Sequence, residues 1–245
     1  MTLKSPPLVR TALLSLLVAC SGGKTGQDAE VTEALAPGEI PEKAEIYAVD
    51  AVLSVVTWIG SKPTGQHNGI IGISDGKIGL LNDTIVGGDI TIDINSLEDK
   101  DLTQEDDRQK LEGHLMSDDF FAAQTYPEAT FTILKVDAYD SASMQAPDQQ
   151  EFESEYAPAV MSEFTVAKPT HRITGNLTMR GVTKGISFPA VVRIREGKIM
   201  AEAKFNINRT DWGLSYSDEA SVADKTKDKF IYNTVNVGFS LQAKK

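Results

Sequence analysis

From Tyr47 onward, apolar and polar residues alternate with a period of two, the spacing of a strand that buries one face. Ser54, Val56 and Trp58 share one face of the first such run. Ile90, Ile92 and Ile94 alternate with Thr91 and Asp93, and Ile173, Gly175, Leu177 and Met179 alternate with a polar row from Arg172 to Arg180. Ile199, Ala201, Ala203, Phe205 and Ile207 form a further row, and Val235, Val237, Phe239 and Leu241 the last. Asp75-Gly76, Asn82-Asp83 and Glu196-Gly197 suit tight hairpins, and Gly181 to Gly185 a wider turn. Strands joined by hairpins, each with one apolar and one polar face, predict an all-β antiparallel sheet. About eight such strands close into a barrel with room for one small ligand. A two-sheet sandwich with a solid core produces the same alternation, so the pattern leaves both architectures open.

Two stretches break the strand texture. Asp106 to Ser117 sets Leu111 and Leu115 four apart behind Asp106 and Asp107, whose carboxylates favour a helix N-terminus. This predicts a short helix with one face against the sheet, delivering Phe120 and Phe121 toward the interior. Residues 137–169 carry Asp137, Asp140, Asp148, Glu151, Glu153, Glu155 and Glu163 against Lys168 alone. They predict a surface excursion, longer than the roughly 12–15 residues usual for a structureless loop. Its acids lack the spacing and turn glycine of an EF-hand.

The start of the chain adds an address. Lys4 and Arg10 precede an apolar run, Leu13 to Ala19, that ends at Cys20, the only cysteine. Such a run is shorter than the roughly 20 residues that span a bilayer and has the form of a secretory leader. Leu17-Val18-Ala19-Cys20 resembles the bacterial lipoprotein signal, which implies cleavage before Cys20 and its acylation. Residues 1–19 are then leader, and 20–45, rich in Gly, Glu, Ala and Pro, a flexible acidic linker ahead of a domain over 46–245. The expected location is the envelope of a Gram-negative bacterium, lipid-anchored in the outer membrane on its periplasmic or surface face. With Cys20 acylated, no disulfide or thiolate metal site is available within the chain.

A net charge of -11 disfavours nucleic acid as a partner and electrostatic binding to anionic lipid. It opposes nonspecific association while allowing a specific homodimer. The chain lacks a phosphate-cradling glycine loop and a Gly-x-Ser-x-Gly elbow, and no enzymatic activity, cofactor or metal is expected. The three histidines, His67, His114 and His171, have no ligand spacing in sequence, although a shared barrel mouth would bring them together. Arg172, Arg180 and Lys184 offer phosphate-binding geometry at a rim, but polar positions of a strand also place such residues outward.

Three blocks carry a family resemblance. They are Lys110 to Phe121, with Gly113-His114-Leu115 and Phe120-Phe121, leading to Tyr126 to Phe131, then Gly175 to Lys184, then Phe205 to Gly213 with Arg209-Thr210-Asp211-Trp212. In this order and spacing the chain resembles the YceI-like family of secreted bacterial proteins from about Tyr47 to Ala243. Gln109 stands after Arg108 where the family often has Asp, and the 137–169 excursion is longer than the usual hairpin. The resemblance implies a lipocalin-like antiparallel barrel, a helix against it, and a long apolar cavity for a polyisoprenoid or similar amphiphile. The expected cavity wall is Val56, Trp58, Phe131, Leu177, Met179, Phe205, Ile207, Val237 and Phe239, with Phe120, Phe121 and Trp212 beside it. Each of these residues equally suits plain core packing. His67, His114, Arg180 and Lys184 are the head-group candidates. The competing reading is a sandwich lipoprotein that binds a carbohydrate or a protein partner, for which Trp58 or Trp212 would be an exposed platform.

Overall fold

The computed structural model describes residues 26–140, 164–221 and 230–245. The leader, Cys20 and residues 141–163, with Asp148, Glu151, Glu153, Glu155 and Glu163, lie outside them. The strands are β1 (Glu30–Glu33), β2 (Glu45–Val49), β3 (Val55–Lys62), β4 (Gly65–Leu81), β5 (Thr84–Asp99), β6 (Glu128–Ala138), β7 (His171–Met179), β8 (Val182–Arg195), β9 (Lys198–Asn208) and β10 (Thr234–Lys244). The helix α1 spans Glu105–Met116, one residue from the expected start and end.

Each strand from β3 to β10 pairs antiparallel with the next. β10 then pairs with β3, Val235 opposite Gly60 through Ser240 opposite Val55, and the sheet closes. The structure is an eight-stranded barrel, and the sandwich alternative falls with that closure. β2 continues the place of β3 between β4 and β10, beyond a break at residues 50–54. Three hairpins have both central residues at positive φ, as the twist of the flanking strands requires. They are Asn82 and Asp83 (50° and 60°), Arg180 and Gly181 (50° and 73°), and Glu196 and Gly197 (52° and 71°).

Two turn expectations need correction. Asp75-Gly76 lies inside β4, next to a register shift between Ile73 and Asp75. That bulge changes which positions face inward: Ile71 and Ile73 are buried before it, Ile78 and Leu80 after it. The link between β7 and β8 is a two-residue turn, with Met179 opposite Val182, and Thr183 to Gly185 already belong to β8.

The linker expected over 20–45 is not free along its length. β1 pairs with β8, Glu30 opposite Ser187 through Glu33 opposite Lys184, and Asp28 bridges to Asn206 of β9. The segment thus fills the gap where the first half of β8 parts from the second half of β9. Beyond it, Leu35 exchanges hydrogen bonds with the Asn176 side chain at 2.8 and 2.9 Å. Ile40 then packs into a hollow left by Gly79 and Gly87. The stretch from Asp28 to Ile40 is thus bound to the barrel by backbone pairing, the Asn176 side chain and one aliphatic anchor.

Inside, Phe188 stacks on Phe205 at 4.1 Å, with Phe131 at 5.6 Å and Phe239 at 5.8 Å from it. Gly175 makes room for Phe131, because a Cβ there would lie 2.2 Å from the Thr132 carbonyl and 2.8 Å from that ring. Gly175→Ala should therefore destabilise the barrel by about 1–3 kcal/mol. Gly60→Ala, whose Cβ meets nothing within 4 Å, should stay within about 0.5 kcal/mol of the parent. Urea midpoints of the two variants test the contrast.

Candidate functional site

The antiparallel order puts the β3–β4 turn, the β5–β6 connection with α1, the β7–β8 turn and the β9–β10 connection at one end of the barrel. A cavity of about 410 Å³ runs inward from that end, within the roughly 300–1,000 Å³ of small-molecule sites. Val56, Trp58, Phe131, Leu177, Met179, Phe205, Ile207, Val237 and Phe239 all line it, as do Phe120 and Phe121. Ile71, Ile73, Ile78, Ile85, Ile90, Ile92, Ile94, Ile133, Ile173 and Ile186 also line it, as do Phe188, Leu97, Ala129, Val136, Ala201, Val235 and Leu241. Most of that isoleucine lining sits on β4 and β5, where bulges break the alternation that marks β7, β9 and β10.

Trp212 is not part of the wall. It is fully buried, and its Nε1 donates to the Leu177 carbonyl at 3.0 Å. Its place follows from a short 3-10 turn, Arg209–Trp212, started by Asn208, whose side chain accepts from the Thr210 amide. Neither tryptophan is a flat exposed platform, since Trp58 lines the cavity.

At the mouth the cavity is flanked by α1 and by the described parts of the β9–β10 connection. Leu111, His114 and Leu115 of the helix line the cavity from one side, Leu214 and Ile231 from the other. His114 stands edge-on to Phe120 and to Tyr216, at 5.1 and 4.8 Å, and its Nε2 lies 3.0 Å from Asp119 Oδ2. Arg209, only 3% exposed, also lines the cavity. Its guanidinium donates to the carbonyls of Leu214, Tyr216, Ile231 and Tyr232, which pins both arms of the connection to one side chain. Burial pulls the guanidinium below its ordinary range, while Asp218 and Glu219 act the other way. Sequence patterning gave no sign of Arg209 beyond its place in the third family block, because its partners are backbone atoms.

The head-group candidates separate. His67 and His114 line the cavity. Arg180 does not; it ties the β7–β8 turn to the lid, donating to the carbonyls of Gly213 and Asp118, each at 2.7 Å. Lys184 points to β1 and pairs with Glu33 at 2.8 Å. Arg172 likewise faces β1, 3.6 Å from Glu30. His171 begins β7 at the opposite barrel end, so the three histidines do not gather.

His67 has acidic company. Its Nδ1 lies 3.0 Å from Asp101 Oδ2, and the Asn68 amide donates to Asp101 Oδ1 at 2.8 Å. Asp99, 2% exposed, accepts from the amides of Asp101 and Leu102. Burial, with Asp101 beside it, pushes the Asp99 carboxyl above the usual range. Burial also works to raise Asp101, but the Asn68 amide and His67 outweigh it and hold that carboxyl low.

Removing the Arg209 guanidinium leaves four carbonyls without their donor, and unsatisfied buried groups cost about 1–3 kcal/mol each. Arg209→Met should lower stability by at least about 2 kcal/mol in urea unfolding. Arg209→Lys, with one ammonium in place of the fork, should recover only part of that loss.

A family model described as YceI-like domain matches residues 47–243. Among solved structures, Burkholderia cenocepacia BcnA aligns with a TM-score of 0.53 at 18% identity, over 79% of this chain and 98% of that one. A polyisoprenoid binding domain from Saccharophagus degradans, implicated in plant cell wall breakdown, aligns with a TM-score of 0.49 at 20% identity, over 81% and 97%. A Campylobacter jejuni YCEI protein aligns with a TM-score of 0.42 at 18% identity, over 97% and 99%. No curated protein is matched by sequence.

Proposed function

This chain belongs to the YceI-like domain family, and on that premise we propose that it binds the apolar tail of an isoprenoid-like amphiphile inside its barrel and carries it unaltered. The observation that supports this reading is the cavity wall: a continuous surface of aliphatic and aromatic side chains, with polar groups confined to the covered end. Burying an apolar chain there gains about 25 cal/mol per Å² removed from water. That gain does not depend on hydrogen bonds, so an unfunctionalised prenyl tail suits the wall. His67, His114 and Arg209 at the mouth then meet the more polar end of the ligand.

We further propose that Cys20 is acylated and tethers the barrel to the envelope membrane. The chain is stitched to the barrel from Asp28 on. About six to eight residues of extended chain reach at most roughly 20–28 Å, so the anchor would keep the barrel against the bilayer. A lipid ligand then has little water to cross.

A fluorescent prenyl probe titrated against the full chain tests the cavity. Ala201, on the wall, replaced by Phe should weaken uptake at least tenfold. Lys184→Ala, on the outer face, should leave it unchanged. Equal affinity in all three proteins would contradict binding inside the barrel. Cys20→Ala should move the protein from the membrane pellet to the soluble fraction and abolish labelled-palmitate incorporation. Retention in the pellet would contradict the anchor.

A further inference from the structure

We propose that His67, Asp99 and Asp101 form a binding site for a divalent transition cation of the zinc type at the covered mouth of the barrel. The three residues each offer a donor atom, and these atoms lie within 4.8 Å of one another. One imidazole with two carboxylates is a donor set that zinc accepts, and three protein ligands leave a fourth position for a water or a ligand oxygen. Donors about 2.0–2.2 Å from one tetrahedral cation stand roughly 3.3–3.6 Å apart; His67 Nδ1 and Asp101 Oδ2, hydrogen-bond neighbours at 3.0 Å, need only a small separation to admit the ion.

A second observation, independent of the clustering, points to a ligand. Asp99 is 2% exposed, and its Oδ2 has no hydrogen-bond partner among the described residues. A buried carboxylate oxygen without a donor is costly and is met by a cation or a hydrogen-bond donor. Its other oxygen is fixed by the amides of Asp101 and Leu102, which holds the carboxylate in place. The Asp99 amide in turn donates to Glu112 of α1 at 2.9 Å, linking the lid helix to this residue.

Strand register explains the grouping. Trp58, Gly69 and Asp99 lie on one rung across β3, β4 and β5, and Gly60 faces His67 two rungs further, on the same face of the sheet. Gly69 carries no side chain to separate the groups on either side of it. At Gly60 a Cβ would meet nothing within 4 Å, so the cavity side of His67 is open. Trp58 Nε1 is a buried donor without an acceptor among the described residues. Trp58 lies on the same rung as Asp99, on the other side of Gly69. His67 and Asp101 are about one-third exposed, which gives a cation a path in from solvent.

The test uses the metals alone and is independent of any lipid. Full-length protein, stripped with chelator, is dialysed against Zn²⁺, and bound metal is counted. The expected result is one equivalent per chain, with affinity falling at least tenfold in His67→Gln and in Asp101→Asn and staying unchanged in Asp106→Asn on the exposed helix face. Absence of stoichiometric uptake, or uptake that ignores His67→Gln and Asp101→Asn, overturns the site and assigns any binding to the acidic surface. Should those variants unfold, the parent protein still decides. Paramagnetic Co²⁺ should broaden the His67 ring resonances while those of His171, at the other barrel end, stay sharp. A sharp His67, or equal broadening of both, overturns the proposal.

Discussion

The pairing of β10 with β3 is the constraint on which the rest depends. Before it forms, the eight strands are an open sheet with two edges and one apolar face in water. Once Val235 to Ser240 bond to Val55 to Gly60, the two outer edges of the sheet are joined, β1 covers the edge left where β8 and β9 part, and the apolar face becomes an interior. Closure also fixes the radius, and the side chains that point inward do not fill it. Most are isoleucine, valine and leucine, which leave a channel of about 410 Å³ beside the Phe131, Phe188, Phe205 and Phe239 cluster. The cavity is thus a consequence of strand number and side-chain volume rather than of any single residue.

Closure gives the barrel two ends, and among the described residues one of them is held by several polar links. Arg209 holds the arms of the β9–β10 connection by their carbonyls, Arg180 ties the β7–β8 turn to Asp118 and Gly213, and Glu112 holds the amide of Asp99. Each of these links joins a charged side chain to backbone. Backbone partners do not depend on the identity of neighbouring side chains, so these links hold whatever packs around them. Among the described residues these polar links gather at the same end as His67, Asp99 and Asp101.

Sequence alternation carried much of this fold and less of its site. β7, β9 and β10 run without bulges, and of their inward rows Leu177, Met179, Ala201, Phe205, Ile207, Val237 and Phe239 line the cavity. β4 and β5 contain three register shifts, and each shift reverses the inward parity. A strict period-two reading therefore took Asp75-Gly76 for a turn and passed over Ile71, Ile78 and Ile85. Trp212 shows the opposite failure: a large aromatic in a family block is buried beside the wall, anchored through its Nε1, and never reaches the channel. Arg180 and Lys184 sit on polar rows and face away from it. Arg209 was illegible because its role rests on backbone groups that only the tertiary fold assembles, and Asp99 because its approach to His67 depends on how β4 and β5 pair. The acidic linker misled for a related reason, since composition does not record that β8 and β9 part and leave an edge for β1 to fill.

The most direct test of the account is native mass spectrometry of the full-length protein released gently from envelope membranes. The account predicts one copy of a single amphiphile per chain, with an isoprenoid tail identified on fragmentation and an intact head group. A chain that arrives at its bare mass and takes up no prenyl lipid on incubation would contradict it.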